Sequence, residues 1–245
     1  MSYFESVKHP WPILIFLLPL LAVYEVGVMK LSHGSTEVLR NGADVWFRWG
    51  LEKFGLREVL AAPAIIVAVL LVRALWRWSD RPNSLISSIF GMAIEGIFFA
   101  GLLWLVARNF ANLLKQVGVP LQALNFQLTP ETYEKIIMYA GAGIYEEVLF
   151  RVILFGGLLL ILRLMFLPSL IAVPIAAVLS AVTFALAHHI GPHGESFSDP
   201  GFRFRLYFRI FAGLYFALLY RTRGFGIAVG THMMYDVLAG LEMKN

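Results

Sequence analysis

The stretch that decides the fold reads GIYEEVLFRVILFGGLLLIL and covers residues 143–162. It is long and apolar enough for a membrane helix, yet it carries Glu146, Glu147 and Arg151. A charged side chain near a bilayer centre costs roughly 2.5 to 3.5 kcal/mol even on the lenient insertion scale, so such groups usually line a protein interior or a wet cavity. This stretch is therefore the first place to look for a function.

The composition of the whole chain is that of a membrane protein. Of its 245 residues, 59% are hydrophobic and 15% are charged, and the mean hydropathy is +0.72. Apolar runs long enough to cross a hydrocarbon core recur along the whole length, without the period-two alternation of a barrel. We therefore predict an all-α fold, a polytopic transmembrane helix bundle of about seven spans (six to eight) with interfacial amphipathic helices.

The predicted spans follow one another without a soluble module between them. They cover about residues 11–29, 58–76, 86–107, 129–162, 168–190, 204–220 and 224–241. Residues 41–55 mix aromatic and charged side chains, which predicts an interfacial helix, and residues 109–127 are compatible with an interfacial helix or a loop. The sequence Thr129-Pro130-Glu131 predicts a helix start.

Cysteine content and charge narrow the classes of function. The absence of cysteine excludes disulfides, thiolate metal sites and a cysteine nucleophile. The net charge of +4 is spread over loops, which suits anionic lipid headgroups and not a nucleic acid. We expect a multi-pass integral membrane protein whose partner is the lipid bilayer, in the cytoplasmic (inner) membrane if the chain is prokaryotic.

The two adjacent carboxylates of the opening stretch have different helical surroundings. At 100° per residue, Glu147 and Arg151 share one face as an i,i+4 pair, whereas Glu146 points about 140° away from Arg151. Glu147 is therefore expected to stay ionised beside Arg151, and Glu146 is available as a general base. The alternative is an ion-pair cluster that only joins two helices, but such a cluster does not require a second, unpaired acid.

Two further polar motifs lie in later spans. The sequence FALAHH ends the fifth predicted span, and His232 and Asp236 share one helix face in the last. Taken alone, His188 is typical of an interfacial side chain, and His232 with Asp236 is typical of a hydrogen-bonded brace. If the spans alternate in direction, however, Glu146, His188 and Asp236 fall toward one side of the membrane. This placement favours a single polar cavity that opens to one aqueous phase.

The three motifs together resemble those of a known family. The pattern is Glu146-Glu147-x-x-x-Arg151, Phe184-x-x-x-His188 and His232-x-x-x-Asp236. It is similar to that of the CPBP (Abi) family of intramembrane endopeptidases, which includes the CAAX prenyl endopeptidases and proteins linked to bacteriocin processing or immunity. The resemblance implies a catalytic core at residues 131–245, beside N-terminal spans and interfacial helices of unassigned role at residues 1–130, within one integral membrane domain.

The resemblance also implies roles for these residues. Glu146 would activate the attacking water, and His188 would help to position it or share its proton. His232 with Asp236 would sit where family members stabilise the developing oxyanion. The supporting residues would be Glu147, Arg151 and Phe184. Prenyl endopeptidases characteristically carry Asn at the last motif position. An ionised Asp cannot donate to an oxyanion, so Asp236 would have to be protonated or to orient His232 instead.

The sequence leaves metal dependence open. Glu146, His188 and His232 offer the nitrogen and oxygen ligands that zinc accepts, and the family has been described both as metalloproteases and as metal-independent glutamate proteases. No His-Glu-x-x-His motif occurs, which excludes a zincin-type helix. Ser180 lacks the glycine-rich setting of rhomboid-type serine proteases, and the Gly-x-Gly-Asp motif of presenilin-like proteases is missing.

Several ionisable residues lie outside the three motifs. Glu95, in the third span, is a candidate for cavity or substrate contact, whereas Glu25 suits a hydrogen-bonded acid near a span end. His193, Glu195 and Asp199 could bind a metal, although a solvated loop is the simpler interpretation. The expected substrate is a membrane-associated protein or peptide, prenylated in some family members. The alternative functions are a non-proteolytic membrane scaffold or immunity protein, and a proton-coupled transporter using the same polar cavity.

Overall fold

The computed structural model describes residues 1–32, 40–82, 84–116, 132–191, 194–199 and 201–242. In these residues every regular element is a helix, which confirms the predicted all-α class. The α-helices are α1 (Tyr3–Ser6), α2 (Pro10–Leu31), α3 (Gly42–Glu52), α4 (Ala61–Trp76), α5 (Leu85–Gln116), α6 (Thr132–Gly141), α7 (Gly156–Leu164), α8 (Ser169–Ala187), α9 (Phe202–Thr222) and α10 (Phe225–Glu242). A 3-10 turn at Trp78–Asp80 follows α4, and two π-helical segments, Ala142–Glu146 and Val148–Phe155, join α6 to α7.

Each of the seven predicted spans coincides with a helix or a run of helices. Within the described residues, three helical stretches are both long and apolar enough to cross a membrane, namely Pro10–Leu31, Leu85–Phe110 and Ser169–Ala187. The helix α4 is apolar but shorter. These elements confirm a polytopic helical bundle, while the number of passes stays a prediction.

The third span is longer than predicted. The helix α5 continues to Gln116, so residues 109–116 extend it and do not form a separate interfacial helix or loop. The remainder of that stretch and the helix start predicted at residues 129–131 lie outside the described residues. A helix is present within the expected residues 41–55, as α3 with Asn41 as its N-cap, while its place at the membrane interface stays a prediction.

The helix α10 lies inside the bundle, where it packs against α5, α6, α9 and the first π-helical segment. Two glycines allow the close approach of α5: a Cβ atom added to Gly96 would lie 3.2 Å from the carbonyl carbon of Gly230. The helix begins after Gly224, whose φ of +100° is a backbone conformation that residues with a side chain rarely adopt. This packing carries the last polar motif, His232 and Asp236, into the interior.

The helix that carries the opening motif departs from regular α-helical geometry. Its backbone is π-helical over nearly all of residues 142–155, with hydrogen bonds of the i→i+5 type. The prediction of a regular helix at 100° per residue is therefore wrong here. Gly143 packs directly on α10, because an added Cβ atom would lie 3.0 Å from Cβ of Met233 and 3.1 Å from the carbonyl oxygen of Val229. Single-turn π segments are frequent at functional sites.

Candidate active site

A cavity of about 540 Å³ lies between α5, α6, α8, α9, α10 and the first π-helical segment. The residues predicted as catalytic all line it, and these are Glu146, His188, His232 and Asp236. Phe184, predicted to support the site, lines it as well. The lining residues that the sequence did not single out include Tyr139, Arg209 and Phe216. The tertiary structure therefore brings the three sequence motifs to one space.

His232 lies at the centre of the polar cluster. Its Nδ1 atom is 2.8 Å from Oε1 of Glu147, and because an ionised carboxylate can only accept, Nδ1 donates this hydrogen bond. Its Nε2 atom lies 3.7 Å from Oε2 of Glu146 and 3.8 Å from Oδ2 of Asp236. The imidazole ring stacks on Phe216, with the two centroids 4.4 Å apart. Glu147 and Phe216 thus hold the ring so that Nε2 faces two carboxylates.

Glu147 and Arg151 form the ion pair that their spacing predicts. Oε2 of Glu147 lies 3.2 Å from Nε of Arg151, and both side chains are completely buried. The guanidinium lies against the rings of Phe184 and Phe216, 4.7 and 5.4 Å from their centroids. Since the other oxygen of Glu147 accepts from His232, one carboxylate joins the arginine to the imidazole.

Asp236 does not orient His232 through Nδ1, because Glu147 occupies that nitrogen. Asp236 instead faces Nε2 at 3.8 Å, which is longer than a hydrogen bond. Its side chain is 22% exposed, compared with 5% for His232. Asp236 therefore borders the space that a substrate would enter.

Glu146 has one carboxylate oxygen bound and the other directed at the histidine. Oε1 accepts a hydrogen bond from Nδ2 of Asn41 at 3.2 Å, while Oε2 faces Nε2 of His232. The sequence predicts no partner such as Asn41 for this acid. The two residues are 105 positions apart, so no local pattern signals the contact, and the only local sign is an asparagine directly before a helix.

His188 has a defined ring orientation. Its Nδ1 atom lies 2.9 Å from the carbonyl oxygen of Phe184, one turn earlier in α8. Because a carbonyl oxygen can only accept, Nδ1 carries the hydrogen, and Nε2 of the neutral ring is left as an acceptor. The ring of Phe184 packs edge-on against both His188 and His232, with centroids 5.0 and 6.0 Å away. Phe184 thus spaces the two histidines.

Glu25 belongs to a buried polar network beside the site. Its side chain accepts hydrogen bonds from the Tyr145 hydroxyl at 2.6 Å, from Arg40 at 3.1 Å and from Arg48 at 3.1 Å. Tyr145 directly precedes Glu146 in the chain. The expectation of a hydrogen-bonded acid near a span end therefore holds, but the partners come from the first π-helical segment and from α3 with the residues before it.

Glu95 does not line the cavity. Its carboxylate forms an ion pair with Arg223, which directly follows α9. The expectation that Glu95 contacts the cavity is therefore wrong, because the packing of α5 turns this acid toward the end of α9.

The loop between α8 and α9 contains an ion-pair cluster next to the cavity. Glu195 accepts hydrogen bonds from Arg205 at 2.7 Å and from Arg209 at 2.8 and 2.6 Å, and Asp199 pairs with Arg205 at 3.0 Å. Burial by itself would raise the pKa of Glu195, but hydrogen bonds and charge from Arg209 and then Arg205 outweigh it and lower this pKa to about 2. Both acids are thus engaged by arginines, and His193 lies outside the described residues.

The side chains that the structure describes do not fit a metal ion. Among them, no three His, Asp or Glu groups are arranged to hold one. This applies to the zinc alternative at Glu146, His188 and His232, so zinc is not supported.

These features define a polytopic helical membrane protein in which buried carboxylates and histidines from three motifs meet in one cavity. Residues 130–238, less than half of the chain, match the family model of Rce1-like type II CAAX prenyl endopeptidases, and this match supports a CPBP/CAAX protease family assignment. No curated protein and no solved structure matches the chain. The matched family model is one of endopeptidases of the CAAX-protease type.

Proposed function

We propose that this chain hydrolyses a peptide bond in a membrane-associated protein or peptide by means of a water molecule that Glu146 activates. The observation that carries the proposal is the position of Glu146 in a cavity shared with two histidines and a second acid, where its Oε2 atom faces Nε2 of His232 at 3.7 Å. The cavity volume of about 540 Å³ lies within the range of roughly 300 to 1,000 Å³ that is typical of ligand sites.

In the first step, water adds to the scissile carbonyl. The carboxylate of Glu146 removes one proton from the water, whose oxygen forms a bond to the carbonyl carbon while the carbonyl electron pair moves to its oxygen. Nε2 of His188 is an acceptor in the tautomer described above. It accepts a hydrogen bond from the other O–H group of the same water and so orients the molecule. Both residues are required, because a general base acts efficiently only on a water molecule that is held in the reactive position.

His232 is suited to stabilise the resulting oxyanion. In its imidazolium form it donates one hydrogen from Nδ1 to Glu147, and a second hydrogen on Nε2 can be donated to the tetrahedral oxygen. Because Glu147 is itself held by Arg151, the imidazole does not have to reorganise during the reaction.

The second step breaks the carbon–nitrogen bond. The protonated Glu146 returns its proton to the amide nitrogen, the oxyanion re-forms the carbonyl, and the amine leaves. The products are a new carboxyl terminus and a new amino terminus, and Glu146 is again ionised. One water molecule is consumed, and the step requires no cysteine or serine nucleophile.

The substitution Glu146→Gln tests this function. Membrane fractions from cells that produce the wild type or the variant are compared by mass spectrometry of protein termini. We expect new termini that depend on Glu146 and disappear in the variant, although the variant still inserts into the membrane. The matched control is Glu52→Gln, an exposed acid of α3 outside the cavity, which should leave these termini unchanged.

Two results would overturn the proposal. One is cleavage by purified Glu146→Gln protein at the wild-type rate. The other is the absence of any terminus that depends on Glu146, which is the result expected of a scaffold, an immunity protein or a proton-coupled transporter.

A further inference from the structure

We propose that Asn41, the N-cap of α3, is a positioning residue for the carboxylate of Glu146. The inference rests on the proposed function, since it gives Asn41 a task only if Glu146 is the base. Asn41 lies in the part of the chain that precedes the family match, for which the sequence assigned no role.

The orientation of the Asn41 amide is determined by its capping bond. Oδ1 accepts a hydrogen bond from the Ala43 backbone N–H at 2.8 Å, which is the usual N-cap contact. The amide nitrogen therefore lies on the other side and donates to Oε1 of Glu146 at 3.2 Å. Rotation of the amide by half a turn would break both bonds, because it would place an N–H group against Ala43 and an oxygen against the acid. The start of α3 thus presents a donor to Glu146.

The backbone of Asn41 is fixed as firmly as its side chain. Its N–H group donates to the hydroxyl oxygen of Tyr24 at 3.0 Å, and that hydroxyl donates to Asp44 at 2.9 Å. The preceding residue, Arg40, bridges Asp44 at 2.7 Å and Glu25 at 3.1 Å. Asn41 therefore lies between Tyr24 and Arg40, both of which are held by hydrogen bonds in a mostly buried network.

The same network also anchors the backbone next to Glu146, through the preceding residue Tyr145. The Tyr145 hydroxyl donates to Oε1 of Glu25 at 2.6 Å, and Arg48 contacts both Glu25 and Asp44. Two arginines thus balance two carboxylates, which lowers the cost of burying these charges. One cluster consequently connects α2, α3 and the π-helical segment on both sides of the Asn41–Glu146 contact.

The contact has a specific consequence for the carboxylate. A donor on Oε1 restricts rotation of the carboxylate, so Oε2 stays directed at His232 and the cavity. Loss of the donor should slow the chemical step, because a misplaced base costs rate. It should not weaken substrate binding, because Asn41 does not line the cavity.

Two substitutions remove the amide donor of Asn41 while they keep its N-cap acceptor. Asn41→Ser retains a good N-cap acceptor but has no amide donor, and Asn41→Asp retains both the cap and the shape but faces Glu146 with a second carboxylate. The assay uses purified protein and a fluorogenic peptide that spans a cleavage site found to depend on Glu146. We expect kcat to fall about tenfold or more in both variants, since a hydrogen bond to a charged group is lost. KM should stay within about twofold in both variants. The unfolding temperature should change little in Asn41→Ser and fall in Asn41→Asp, where two carboxylates face each other.

Asn109→Ser is the matched control. Asn109 is exposed on α5, and its amide donates to the carbonyl oxygen of Leu105 at 2.9 Å without contacting the cavity. The same chemical change at this position should leave kcat unchanged.

The outcomes distinguish this inference from the proposed function. Wild-type kcat in Asn41→Ser and Asn41→Asp, together with an inactive Glu146→Gln, would overturn the role of Asn41 and leave Glu146 as the base. A loss of activity that only follows a loss of folded protein, with kcat per folded molecule unchanged, would also overturn it, because Asn41 would then act as a cap alone. Wild-type cleavage by Glu146→Gln would instead overturn the proposed function.

Discussion

Nδ1 of His232 lies 2.8 Å from Oε1 of Glu147, whose second oxygen lies 3.2 Å from Nε of Arg151. A single buried carboxylate thus ties α10 to the π-helical segment and selects the orientation of the imidazole. The adjacent Glu146 makes neither of these contacts and faces the cavity. Two neighbouring glutamates therefore hold separate positions, one in a buried ion pair and one at the cavity.

The two neighbouring histidines of the second motif should differ in function. His188 lines the cavity, whereas His189 binds the Glu195 carbonyl oxygen and stacks on Phe197 outside it. We expect His188→Gln to lower kcat by about 10²- to 10⁴-fold, as for the loss of a proton-transfer or water-orienting group, with little change in stability. His189→Gln is the matched control and should keep most of the activity. Equal losses in the two variants, measured with the peptide assay, would contradict this assignment.

Asp236 should be replaceable by its amide. Asp236→Asn keeps an oxygen acceptor near Nε2 of His232 and adds a donor that can face the oxyanion, so we expect kcat within about tenfold of the wild type. Asp236→Leu removes both and should lower kcat by about 10²- to 10³-fold. Peptide hydrolysis by the two purified variants measures the difference. If Asp236→Asn is as inactive as Asp236→Leu, a negative charge is required at this position.

Gly143 should be needed for the distance between the π-helical segment and α10. In Gly143→Ala the new methyl group meets Cβ of Met233 and the backbone oxygen of Val229, so α10 must shift by a few tenths of an ångström. We expect a loss of about 1 to 3 kcal/mol in unfolding free energy and a lower kcat, because the two elements carry Glu146 and His232.

Gly157→Ala provides the control for this prediction. A Cβ atom at Gly157 has no neighbour within 4 Å in the structure, so this change should raise stability by about 0.5 to 1 kcal/mol through helix propensity. Thermal unfolding in detergent measures both variants. A Gly143→Ala protein as stable and active as Gly157→Ala would refute the steric argument.

Glu195 should give the loop between α8 and α9 a pH-dependent stability. Its pKa is lowered from 4.5 to about 2, so its ionised form is favoured in the folded state. The stabilisation is complete above about pH 4.5 and is lost as the pH falls toward 2. Glu195→Gln should therefore lower the unfolding free energy at neutral pH by about 1 kcal/mol, a value that allows for screening at this partly exposed cluster.

The difference between wild type and Glu195→Gln should shrink as unfolding is measured from pH 5 downward, because protonation removes the same charge in the wild type. Glu52→Gln, which changes an exposed acid of α3, should show no comparable trend. A difference between wild type and Glu195→Gln that is constant over this range would contradict the linkage.

The sequence by itself determined the class of protein and the position of its helices. Only a helix or a closed barrel satisfies the backbone groups internally in hydrocarbon, and the long apolar runs lack the period-two alternation of a barrel, so they must be helices. The Glu147–Arg151 pair was predictable for a related reason, since it depends on local spacing and survives the change from α- to π-helical geometry. Ordered motifs in later spans were sufficient to indicate the family, and the match over residues 130–238 agrees.

The tertiary structure alone decided which groups touch. The hydrogen bond from His232 to Glu147, the stacking of Phe216 and the donor Asn41 join residues that are distant in sequence, and no local pattern encodes them. The assignment of Glu95 to the cavity failed for the same reason, because the rotation of α5 about its axis depends on packing. Periodicity reports which residues share a helix face. Which neighbouring helix that face is turned toward depends on side-chain volume and on close backbone contacts across the whole bundle.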